Sequence, residues 1–121
     1  MIVVNLTPHT VRVMPESGPD AVFSAAGGVA RVREVIGETT SVTTAEGRVP
    51  IQDVSYSDVV DDLPDPQPGV LYLVSRVTAA AVDRGDLVFP QGELRDEHGA
   101  IIGCRALGRF HPSAREGAQN A

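Results

Sequence analysis

Asn5-Leu6-Thr7-Pro8-His9 places an amide, a hydroxyl and an imidazole within five residues. An imidazole changes charge near neutral pH, so His9 beside Thr7 has the composition for general acid and base work. A plainer account of the same pentad is a shaped turn. Pro8 fixes its own backbone angle, and Asn5 and Thr7 carry side chains that bond neighbouring backbone. Both accounts stand at this point.

A second group lies at Ser75-Arg76-Val77-Thr78. Free amides at the start of a helix attract anions, and an adjacent guanidinium adds charge-assisted hydrogen bonds. Here too there is a plainer account, in which Ser75 only caps the helix and Arg76 points into water. Arg31, Arg84, Arg95 and Arg105 line a pocket on one reading and form surface ion pairs on the other, and spacing does not choose between them. Every one of the 10 basic residues is Arg, which suits either a GC-rich coding bias or two-point gripping of carboxylate or phosphate.

Other chemistry is poorly represented. His9, His98 and His111 lack the spacing of a metal site, and no glycine pattern for cradling phosphates occurs, so no metal and no cofactor are expected. Cys104 follows Ile101 and Ile102 and reads as a buried, inert thiol, with a nucleophile paired to His9 as the alternative. Asp58, Asp61, Asp62 and Asp65 sit in a proline-rich stretch and read as a solvated face.

The elements that must hold these groups centre on Val70 to Val74, an uncharged run suited to a strand covered on both faces. Ser75 then opens a helix over Arg76 to Val82, closed near Gly85. Before it, Ile2 to Asn5 and Thr10 to Met14 read as strands and Ala21 to Phe23 as a short one. Val29 to Ile36, Thr39 to Thr44 and Val49 to Tyr56 follow, separated by turns at Gly37-Glu38 and Ala45 to Gly47. Asp58 to Gly69, with Pro64, Pro66 and Pro68, is an extended crossing. After the helix, Asp86 to Phe89 is strand-like and stopped by Pro90, and Glu93 to Asp96 with Ala100 to Leu107 forms a hairpin. The predicted fold is α+β or α/β, a single small domain that is mostly an antiparallel meander of short strands, with one short helix following a central strand. Its globular part spans residues 1–107, and residues 108–121 form a flexible tail.

With 121 residues the chain supports one core. Its net charge of −6 argues against a duplex-binding surface, so nucleic acid is not an expected partner. No apolar run approaches membrane-spanning length, no signal peptide opens the chain and the single cysteine allows no internal disulfide, which together predict a cytoplasmic protein without a membrane partner.

The Asn5-Leu6-Thr7-Pro8-His9 opening and Val29-Ala30-Arg31-Val32 belong to a distinctive set of motifs. The others are the Leu63 to Gly69 crossing followed by Leu71 to Ser75, Leu94-Arg95-Asp96, and Gly103-Cys104-Arg105. Together they resemble a family of small proteins from bacteriophages and actinobacterial or other bacterial prophages, over about Ile2 to Leu107. The resemblance implies a phage origin and a host-cell cytoplasmic setting more than a reaction. Its polar positions, Asn5, Thr7, His9, Arg31, Ser75, Arg95, Asp96 and Arg105, together with Arg76, are the candidate ligand-binding residues. The expected function is capture of a nucleotide-like or other anionic small molecule without catalysis, such as sequestration of a host immune signal. Two alternatives are a protein-binding inhibitor or assembly factor that engages a host protein, and a small hydrolase or transferase using His9. A homo-oligomer is compatible with all three.

Overall fold

The computed structural model describes residues 1–110. Eight strands and one helix run in the order β1 (Ile2–Asn5), β2 (Val11–Val13), β3 (Ala21–Phe23), β4 (Arg31–Thr44), β5 (Gly47–Asp61), β6 (Val70–Leu73), α1 (Arg76–Ala81), β7 (Leu87–Arg95) and β8 (Ile101–Gly108). Six strands form one sheet in the order β1-β6-β7-β8-β2-β3, and β4 and β5 form a separate two-stranded ribbon. The sheet nearly closes on itself. Asn5 and Ala25 make a parallel bridge between the two ends of the sheet, and the Ala26 N–H donates to the Asn5 carbonyl at 2.9 Å. Barrel closure of this kind removes most of the open edge that a flat sheet leaves unpaired.

This overturns the expected α+β or α/β class, because the domain is mostly β. The one helix among the described residues has six residues. Val77 and Thr78 are β-branched and poor helix formers, and Val82 is already extended at φ −130° and ψ 145°, so the helix stops before Gly85 can cap it. The meander of short antiparallel strands is corrected too. β1 pairs with β6 and β6 with β7 in parallel, as β2 does with β8, while β4 and β5 run for 14 and 15 residues. Gly37-Glu38, read as a turn, is a bulge in β4, where two residues stand opposite Asp53 alone. Pro90 does not stop β7. It pairs with Leu107 of β8 beyond the last β6 partner, Val88, where a missing N–H costs no ladder bond.

β6 is the buried strand the sequence implies. Tyr72 and Leu73, on its two faces, are 3% and 0% exposed, and Val74 just beyond it is 0% exposed, so both faces are covered at this end. Tyr72 and Val74 share a core with Leu6, Ala30, Ala79, Leu87 and Phe89. Phe110 packs against that core with its ring centroid 4.8 Å from that of Phe89. Residues 111–121 of the expected tail lie outside the described residues. No helix among the described residues is long and apolar enough to cross a membrane.

Candidate functional site

Parallel strands β1 and β6 lie side by side with Asn5 opposite Leu73, so the chain leaves both at the same end of the barrel. Ligands in sheets of parallel strands gather at such carboxyl ends, where diverging connections leave a crevice. A cleft of about 330 Å³ opens here. Leu6, Thr7 and Pro8 from the turn after β1 form one wall, and Ser75, Val77 and Thr78 from the start of α1 form another. Val29 to Val32 and Tyr56, at the root of the ribbon, form the third. That root is fixed in place. The Ala30 N–H donates to the Leu6 carbonyl at 3.1 Å, and Arg33 grips Asp61 through both Nε and Nη2 at 2.8 to 3.1 Å. The contact raises the Arg33 pKa and lowers that of Asp61, chiefly through these side-chain hydrogen bonds.

Asn5 shapes the first wall. It is 2% exposed, and its Nδ2 donates to the carbonyls of His9 and Phe23, each at 2.8 Å. Its Oδ1 accepts from the Thr7 N–H at 3.0 Å and the Thr7 hydroxyl at 2.7 Å. All of its hydrogen-bonding capacity serves the fold, so Asn5 supports the cleft wall rather than touching a ligand. The Thr7 hydroxyl proton is claimed by Asn5 Oδ1 or the His9 carbonyl. Ser75 behaves as the capping account requires. Its Oγ accepts from the Thr78 N–H at 3.3 Å and donates to Thr78 Oγ1 at 2.8 Å.

With these hydroxyls engaged, the cleft's strongest free donor is Arg31. Its guanidinium makes no hydrogen bond or ion pair among the described residues. Tyr56, across the ribbon root, is 55% exposed. A planar cation with five N–H groups and an aromatic side chain lining one cleft suit a ligand joining a carboxylate or phosphate to a ring.

Of the candidate residues, Thr7, Arg31 and Ser75 line the cleft, with Asn5 behind them. The rest fall elsewhere. His9 is exposed outside the cleft. Arg76 lies over the Phe89 ring at 4.6 Å and bonds Gln91 Oε1. Arg95 holds Gly99 and Glu93 at the β7–β8 turn, and Asp96 Oδ1 accepts from the N–H groups of His98 and Ala100 in that same turn. Arg105 donates to the Met14 carbonyl at 3.1 Å. Tyr56 was missed because it reads as one more strand residue. Its only signal is an aromatic ring in a run of small and β-branched residues.

A second groove of about 360 Å³, lined by Thr10 to Arg12, Pro90, Glu93 and Ile101 to Cys104, offers less to an anion. Arg12 there is paired with Asp20 at 3.3 Å. Cys104 lies under β2, its Sγ 3.6 Å from the Arg12 carbonyl, and burial pushes its thiol pKa up. No group of three or more His, Cys, Asp or Glu able to hold a metal occurs among the described residues.

No protein-family model matches the chain, and comparison with curated proteins and with solved structures returns no match.

Proposed function

We propose that this chain is a phage-type small-molecule binding protein that captures an anionic, nucleotide-like ligand in the cleft at the carboxyl ends of β1 and β6 and leaves it unchanged. The observation that carries the reading is Arg31. In a chain of net charge −6 it has no hydrogen-bond or ion-pair partner among the described residues and lines a concave site that the exposed Tyr56 also lines. The overall field repels an anion, so affinity has to come from local contacts. Arg31 supplies the charge, Tyr56 the stacking face, and Leu6, Pro8, Val29 and Val77 an apolar floor. A cleft of this size lies at the small end of the range for ligand pockets, roughly 300 to 1,000 Å³, which fits one nucleotide better than a dinucleotide. Sequestration of a host immune signal is the role such capture would serve in a phage protein.

The reading is tested by isothermal calorimetry against cyclic nucleotides, nucleoside monophosphates and ADP-ribose derivatives, with recovery of the bound compound and its mass measured afterwards. Saturable binding of a panel member recovered intact supports capture. Conversion of the compound, lost in His9→Ala, would favour the enzyme reading instead.

A further inference from the structure

Every residue from 33 to 56 is exposed, and α1 is the element that packs substantially against the ribbon, near its root. At about 3.3 Å per residue, the 14 residues of β4 span roughly 45 Å. An isolated two-stranded ribbon is marginal in water, and three or more strands are needed for independent stability. The outer half nevertheless has the composition of a sheet interior, with Val42 opposite Val49 and Thr40 opposite Ile51 on one face.

The two free edges differ. β5 carries Pro50, paired with Ser41. A proline fits a ribbon where its nitrogen faces away from the partner strand, so the outer edge of β5 lacks a donor there. By the same register the Ser41 N–H and C=O point out from β4. Beyond the Gly37-Glu38 bulge, Thr39 to Thr44 of β4 carry neither proline nor charge, so the outer part of this edge lacks those guards. The charge pattern permits contact between copies at this place. Thr39 to Gln52 contains Glu46 and Arg48 as its only charged residues, which cancel, whereas the chain as a whole is at −6.

We propose that the ribbon is a self-association element, in which the β4 edge of one copy pairs antiparallel with the β4 edge of a second about a two-fold axis at Ser41. This register sets Thr40 opposite Val42 of the second copy and Thr39 opposite its Thr43. A row of methyl-bearing side chains then crosses four strands, Val49 and Val42 from one copy followed by Thr40 and Ile51 of the second copy, and the axis repeats the row. Two marginal ribbons become one four-stranded sheet. The inference is independent of the ligand reading.

The axis brings the two Ser41 Cα atoms to about 5.5 Å, within disulfide range. Ser41→Cys is therefore expected to oxidise to a covalent dimer on a non-reducing gel, and Arg48→Cys, on the far strand, is expected to remain monomeric. The native Cys104 is buried and does not compete. Ser41→Pro removes an N–H that faces away from β5 at a position where a strand edge tolerates proline, so it should keep the native circular dichroism while sedimentation shows loss of the dimer. Failure of Ser41→Cys to cross-link, preferential cross-linking by Arg48→Cys, or a wild-type chain that sediments as a monomer at every concentration overturns the proposal. The last result would leave the ribbon to a different protein.

Discussion

Asn5 Oδ1 accepts two hydrogen bonds from Thr7, one from its N–H at 3.0 Å and one from its hydroxyl at 2.7 Å, and so holds the wall of the cleft. The same side chain donates to two backbone carbonyls, and it lies beside the Asn5–Ala25 bridge that nearly closes the sheet. One buried amide therefore ties barrel closure to cleft shape.

Asn5→Ala removes the Asn5 donor from the Phe23 carbonyl and the acceptor from the Thr7 N–H, and leaves the His9 carbonyl to the Thr7 hydroxyl alone; an unsatisfied buried group costs about 1 to 3 kcal/mol. A loss on the order of 3 kcal/mol is expected from chemical denaturation. A loss well under one kcal/mol would show that water replaces the amide and that Asn5 does not organise the turn.

Gly103→Ala tests the β2–β8 contact. A Cβ at this position would stand 2.8 Å from the Arg12 carbonyl oxygen and 2.8 Å from Met14 Sδ. Because one obstacle is backbone, β2 has to move, and overpacking of this kind costs roughly 1 to 3 kcal/mol. Thermal denaturation should show a lowered Tm, and an unchanged Tm would mean that β2 is held less closely than described.

The partly buried Arg84–Asp86 pair, joined by two hydrogen bonds of 2.9 and 2.7 Å, predicts a pH dependence. The Arg84 hydrogen bonds lower the Asp86 pKa, so the ionised carboxylate is favoured in the folded state. The resulting stability is present above the carboxyl's unfolded pKa and is lost as pH falls through the folded one. Stability measured against pH should fall less steeply on the acid side in Asp86→Asn than in the native chain. Parallel acid limbs would count against the pair.

Cys104 is 2% exposed and its thiol pKa is raised by burial. A thiol-specific chromogenic reagent should leave it unmodified at neutral pH in the folded protein and react fully in denaturant. Rapid labelling of the native chain would reopen a nucleophilic role.

Local signals were legible in the sequence and distant ones were not. The handover from β6 to α1 could be read because an apolar run and a capping Ser75 are adjacent, and the β7–β8 hairpin because its turn lies between its own strands. The parallel β1–β6–β7 pairing and the Asn5–Ala25 bridge join residues far apart in the chain, and periodicity carries no information about them. Gly37-Glu38 misled as a turn because a bulge and a turn share the same local composition. The site was legible in part for the same reason. Thr7, Arg31 and Ser75 end up together through folding, whereas Arg95, Asp96 and Arg105, equally polar in sequence, serve turns and backbone elsewhere.

The capture reading rests on Arg31, and the most direct test compares ligand titrations of the native chain, Arg31→Gln and Tyr56→Ala under one set of conditions. Removing a charge-assisted contact of 1.5 to 3 kcal/mol should weaken binding roughly tenfold to a hundredfold in Arg31→Gln. Tyr56→Ala should lose the stacking share, and His9→Ala should bind as the native chain does. Binding that survives Arg31→Gln unchanged, or a panel of nucleotide-like anions none of which binds the native chain, would contradict the account.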